Sequence, residues 1–193
     1  MPTQVDLKKY FRAYLEDIEK CISGSCFWAL LHMLIVLPDI CSAMEADDGQ
    51  ATDGRFRNWC KRYLDDAAMK SSDWYRLRCL ILHQGRTHDE EGKSRYVNFR
   101  FSHSRIDSQS MHRRVEEVEG GQMLHLDVRR LAEETRTALA RWFNWVETQA
   151  PKEIVENVDR NARSLAQKSV ITASPEAPPF QTFTVSVTSS PRF

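Results

Sequence analysis

A mainly α fold, a helical bundle carrying a small antiparallel β-hairpin insertion, is what this sequence predicts. Three observations predict it. Apolar residues recur at spacings of three and four over most of the first 85 positions, the pattern changes to period two after Gly85, and helical spacing returns after residue 127. The chain has 193 residues, 41% of them hydrophobic, which suits one domain able to bury its own core. We read the domain as residues 1–168, the hairpin as about 95–128, and residues 169–193 as a Ser/Thr/Pro-rich tail.

Residues 5–21 place Val5, Leu7, Tyr10, Phe11, Tyr14, Leu15 and Ile18 at helical spacing with charged residues between them, which is an amphipathic helix. Ser23, Gly24 and Ser25 break it. Residues 26–46 are apolar nearly all round, as expected of the central helix of a bundle, with a kink or break at Pro38. A loop by composition follows at 47–53, and Phe56, Trp59, Cys60, Tyr63 and Leu64 mark a third, shorter helix. Ser71 or Ser72 can cap a fourth helix, and Gly85 stands where helices commonly end in a left-handed residue.

Beyond Gly85, Tyr96, Asn98, Arg100 and Ser102 alternate with Val97, Phe99, Phe101 and His103, a strand signature. Residues 123–128 form a second, weaker strand after Gly120 and Gly121. The two are expected to pair antiparallel across the polar segment 104–119. Leu126 or Asp127 opens a long helix through Trp142, Phe143 and Trp145, and Pro151 restarts a further amphipathic stretch to about Lys168. In the tail, Phe183 to Val187 has the composition of an edge strand.

Bulk properties bound the function. Basic and acidic residues balance, 27 against 27, so no global field draws in nucleic acid or an anionic membrane, and any such binding is local. Five scattered cysteines without a CxxC pair read as free thiols of a reducing compartment rather than a zinc half-site or a disulfide framework. The longest apolar run, 27–37, falls short of the roughly 20 residues a membrane span needs. A cytoplasmic protein with no membrane association, no metal and no cofactor is expected.

The most demanding segment is 74–85, Trp-Tyr-Arg-Leu-Arg-Cys-Leu-Ile-Leu-His-Gln-Gly, an apolar helix with two arginines and a terminal histidine. Guanidinium groups in such company need a partner, a site or an interface. At 100° per residue, His83 falls within roughly 20° of Arg76, while Arg78 lies roughly 140° away. Arg76 and His83 are therefore expected to share a stripe facing a common cleft. Arg78 is expected to project into apolar surroundings.

Arg78, four intervening residues and His83, on the fourth helix of a mostly helical domain, resemble the Arg-to-His signature of HEPN domains, and Arg76 with six intervening residues fits it too. Tyr75 to Gly85 is also similar to a Tyr-x-Leu-Arg-Cys-x-x-Leu-His-Gln-Gly string of uncharacterised bacterial HEPN-like proteins. The likeness covers roughly residues 5–150. It implies a homodimer across the motif helix, with Arg and His of both subunits lining one cleft that acts in active members as a metal-independent ribonuclease. Arg78, His83 and Arg76 are then the candidate catalytic residues. His83 would take the proton of a ribose 2′-hydroxyl or give one to the leaving 5′-oxygen, and Arg78 or Arg76 would hold the scissile phosphate. Active members usually carry a polar residue after the motif arginine, where this chain has Cys79 or Leu77. The resemblance further implies RNA as substrate or ligand, a bacterial stress or phage-defence setting, and a protein antitoxin as the kind of partner found there.

Other readings stand beside this one. Arg78 can be a helix-tying arginine held by Asp39, Glu45 or a carbonyl, and His83 a helix C-terminal histidine favoured by the macrodipole. The fold would then serve as a non-catalytic dimerisation or interaction module. Arg86, His88, Arg95 and Arg100 make the following segment locally basic, a candidate phosphate-tracking surface or a solvated hairpin face. A small-molecule site is the remaining class, and it lacks a glycine-rich phosphate loop.

Overall fold

The computed structural model describes residues 6–103 and 111–168, with side chains through 163. Six helices run in chain order as α1 (Leu7–Ser23), α2 (Phe27–Glu45), α3 (Asp53–Tyr63), α4 (Ser71–Gln84), α5 (Val128–Thr148) and α6 (Lys152–Lys168). Three strands lie between α4 and α5: β1 (Tyr96–Ser102), β2 (Val115–Val118) and β3 (Gly121–Asp127). The fold is mainly α with a small β insertion. The tail with its strand-like 183–187 segment, and residues 104–110 of the segment between the strands, lie outside the described residues.

Helix starts follow the local chemistry of the chain. Asp6 accepts from the Lys9 amide at the head of α1, Thr52 from Arg55 at the head of α3, and Asp127 from Arg129 and Arg130 at the head of α5. Asp127 thus ends β3 and opens α5 in one residue. α2 is the hub, touching α1, α3, α4, α5 and α6. It runs unbroken through Pro38, which is buried there. A break at that point is not what forms, because packing on the neighbouring helices outweighs the hydrogen bond that proline cannot donate. Its C-terminal carbonyls are closed by α6: Asn157 Nδ2 donates to Glu45 O at 3.1 Å, and Asn161 Nδ2 reaches Met44 O at 3.1 Å and Ala46 O at 2.8 Å. The core spreads outward from α2 to Trp59, Trp74, Phe99, Leu124 and Trp142.

α2 is also one helix long and apolar enough to cross a membrane by length and composition, a consequence of its continuing past Pro38. Half of its most apolar window is packed inside the protein, as in the central helix of a bundle. All five cysteines are free, and burial pushes the thiols of Cys41 and Cys60 well above their ordinary range.

The sheet corrects the expected hairpin. β1 and β3 are neighbours but parallel, with Phe99 opposite Leu124, and the hairpin is β2 with β3, giving the order β1-β3-β2. The chain reverses twice between the two long strands, so the second of them returns in the original direction. The second reversal is the two-residue turn at Glu119 and Gly120, where Gly120 has φ +88. Gly121 is needed for space as well, since a Cβ there would stand 2.9 Å from Val97 Cγ1.

β1 also sets the direction of α4. The Tyr96 hydroxyl donates to the carbonyl of Ala68, just before α4, and the Phe99 amide donates to Thr87 O at 3.0 Å, just after it. These bonds tie β1 to the segments on either side of α4, and His103, just past β1, stacks on Phe27 at 4.1 Å.

Candidate functional site

α4 is positioned from both ends. At its head, Asp73 accepts from the Lys70 amide at 2.8 Å. At its tail, Gly85 takes the left-handed conformation at φ +60, so that its own amide reaches Ile81 O and the Arg86 amide reaches Leu80 O, each at 3.2 Å. Trp74, Leu77, Leu80 and Ile81 are buried against the bundle, which fixes the rotation of the helix. The opposite strip, Tyr75, Arg78, Cys79 and Leu82, is half-buried, and His83 is exposed.

Arg78 and His83 meet at the surface of this strip. The Arg78 guanidinium donates from Nε to Asp39 Oδ2 of α2 at 2.9 Å, and its Nη1 lies 2.7 Å from His83 Nε2. A guanidinium can only donate, so Nε2 is the acceptor and the ring proton sits on Nδ1 in this arrangement. Burial acts to lower the Arg78 pKa, but the hydrogen bond and charge of Asp39 outweigh it and hold it above its ordinary value. The cation is therefore permanent, with Asp39 gripping one edge and leaving the outer nitrogens toward His83. Such a group can hold a phosphate, and the lone pair beside it can accept a proton.

Arg76 corrects the expected shared stripe. It is only 9% exposed, and its Nη2 pairs with buried Asp89 and, at 3.2 Å, with Glu91 Oε2. Asp89 also accepts from the Ser94 amide at 2.7 Å and the Glu91 amide at 3.2 Å, so the pair closes the loop between α4 and β1. Burial alone would raise the Asp89 pKa. The Arg76 hydrogen bond and the Ser94 amide overcome it and hold the carboxyl below the usual range. Arg76 is an internal anchor that reaches no common cleft with His83.

The basic segment divides similarly. Arg95 pairs with Asp73 at 3.1 Å and donates to the Ala67 and Ala68 carbonyls, while Arg86 is held by Gln84 at 2.7 Å and Glu90 at 2.6 Å. His88 and Arg100 are exposed, the latter on β1. Arg100 has no ion-pair partner among the described residues.

No metal-binding group of His, Cys, Asp and Glu occurs among the described residues. A cleft of about 590 Å³ opens between the end of α2, α3 and α6 beside Glu45 and Arg62, and another of about 460 Å³ opens beside Asp66 and Arg113. Arg78 and His83 line neither; they stand on an open face. Next to Asp39 on α2 stand the half-buried Val36 and Ile40, and next to Arg78 on α4 the half-buried Tyr75, Cys79 and Leu82.

Asp39 was legible as a partner for Arg78. Asp89 was not singled out, although the demand of a buried arginine for a carboxylate and the acidic run 89–91 just beyond the helix are the signals that would have found it. No protein-family model matches the chain, and neither does any curated protein or solved structure.

Proposed function

We propose that this chain is a HEPN-like cytoplasmic ribonuclease that works as a homodimer, with the half-buried Arg78 and the exposed His83 of each copy facing one shared groove. The observation that carries the reading is the contact of Arg78 Nη1 with His83 Nε2 at 2.7 Å, backed by Asp39, on the solvent-reachable side of α4. On phosphate binding, Arg78 turns its outer nitrogens from His83 to the scissile group and frees the Nε2 lone pair. One neutral His83 then takes the 2′-hydroxyl proton, the 2′-oxygen attacks phosphorus, and the 5′-oxygen leaves with a proton from the partner's His83, which enters the step as the imidazolium. The apolar strips of α2 and α4 flanking the pair suit a second copy. Arg100 and His88 extend the basic surface along the RNA. The bacterial stress or phage-defence setting, with a protein antitoxin to restrain the enzyme, belongs to the same reading.

Incubating mixed RNA with the wild type and with the Arg78→Ala, His83→Ala double variant tests it. The wild type is expected to degrade RNA, and the double variant to lose at least about a hundredfold of that activity, the scale of acid–base catalysis alone. Equal RNA integrity in both removes the nuclease claim. The Asp39 ion pair favours a second reading, a non-catalytic interaction module; there Arg78→Ala lowers the melting temperature and leaves RNA untouched.

A further inference from the structure

The turn between α1 and α2 sets two cysteines at its ends. The Cys26 amide donates to Cys21 O at 2.8 Å and the Ser25 amide to Ile22 O at 3.3 Å, and Ser25 takes the left-handed conformation at φ +57. This is a Schellman motif, in which the residues joined by the longer bond are the pair whose side chains commonly touch. Here they are Cys21, in the last turn of α1, and Cys26, the N-cap of α2. Covalent geometry turns the 2.8 Å bond into a limit on separation: the two Cα atoms lie no more than about 6.7 Å apart, within the roughly 4.4–6.8 Å that a disulfide spans.

The surroundings hold the pair in place. Arg129 of α5 donates to Ile22 O at 3.5 Å and lays its guanidinium over the Phe27 ring at 5.3 Å, so the turn is fixed on both sides. The Cys26 side chain folds back over the turn, with Sγ 3.7 Å from Gly24 O. A Cβ on Gly24 would stand 3.6 Å from that sulfur, and glycine leaves the space open. Cys21 is half-buried and Cys26 exposed, whereas Cys41 and Cys60 are buried. Burial, and after it the neighbouring Cys26 and Asp17, raise the Cys21 thiol, which therefore keeps its proton near neutrality. Cys26 is the sulfur that an oxidant meets first.

We infer that Cys21 and Cys26 form a reversible dithiol–disulfide site, oxidised by small disulfides of the glutathione class. The Cys26 thiolate attacks one sulfur of the small disulfide and expels the other half as a thiolate, which leaves a mixed disulfide on Cys26. Cys21 then gives its proton to solvent and attacks the Cys26 sulfur. The Cys21–Cys26 bond forms, and the second half of the reagent leaves as a thiolate. The protein pair loses two electrons and two protons, and the reagent takes them up as two thiols. In a reducing compartment such a bond forms only when the thiol pool becomes oxidised, so the pair is a sensor and not a fixed crosslink. It stands independently of the ribonuclease reading.

Equilibration of the full chain in glutathione buffers, read by alkylation and mass spectrometry, tests this. In the folded wild type, Cys21 and Cys26 are expected to escape alkylation together, in a buffer about tenfold more reducing than the same chain needs in urea. The same tenfold appears in the folding constant, so the oxidised protein should melt about 3–6 °C above the reduced one. Cys21→Ser is expected to trap glutathione on Cys26, and Cys26→Ser to leave Cys21 free. A bond that forms no more readily in the folded chain than in urea overturns the inference, because the fold then does not preset the pair. So do glutathione held on both cysteines with no bond between them, a bond to Cys41, Cys60 or Cys79, and a bond between copies that doubles the mass on a non-reducing gel.

Discussion

Arg76 and Arg78 are two residues apart on one helix, yet the fold gives them opposite circumstances. The helical wheel fixes where a Cα–Cβ bond leaves the helix, but an arginine head lies several bonds further on and settles where a carboxylate waits. Asp89 waits inside and Asp39 at the rim, so the buried arginine is the one the wheel had turned toward a cleft. This predicts a division of effects. Asp89→Asn leaves the Arg76 charge without its main partner and should cost about 3–5 kcal/mol, measured by denaturant unfolding. The Asp89 carboxyl is held below its ordinary value, so its contribution is complete above the ordinary carboxylate range near pH 4 and is lost as pH falls through the lower folded value. The acid-side fall in melting temperature should therefore be shallower in Asp89→Asn. Identical profiles for variant and wild type would remove Asp89 from the acid response.

At the level of elements, the helices were the readable part. Their apolar spacing, the Asp127 opening of α5 and the Gly85 terminus were legible, and local and tertiary preferences agree there; Thr52 was passed over as a cap, and the cap expected of Ser71 or Ser72 does not form, since both lie inside α4 and its N-cap is Lys70. β2 was unreadable because Val-Glu-Glu-Val has no alternation, and its four residues are specified only by β3 beside them. Missing it turned two parallel strands into an expected antiparallel pair. Pro38 misled in the other sense, since the burial that keeps α2 whole comes from helices distant in sequence. The amides of α6 that close α2 are similarly non-local. Asn161→Ala removes a donor from Met44 O, while Ala43 O and Ala46 O keep the amides of Ala46 and Gly49, and should cost about 1–3 kcal/mol, read as a lowered unfolding midpoint. An unchanged midpoint would mean that water replaces the amide there.

For the molecule as a whole, net charge is zero and several arginines of the motif region are paired internally, so in the proposed ribonuclease recognition of RNA depends on how a second copy completes the open face. Val36→Glu sets a carboxylate on that face without touching Arg78 or His83, and is expected to halve the mass measured by light scattering and abolish RNA cleavage together. A dimer unaffected by it would place the interface elsewhere. The most direct test of the central claim is the chemistry of the cut ends, measured by mass spectrometry of a short RNA treated with wild-type protein in excess chelator. Attack by the 2′-hydroxyl under His83 and Arg78 predicts 2′,3′-cyclic phosphate and 5′-hydroxyl ends that disappear in Arg78→Ala, His83→Ala. Intact RNA with the wild type, or the same ends at the same rate with the double variant, would contradict it.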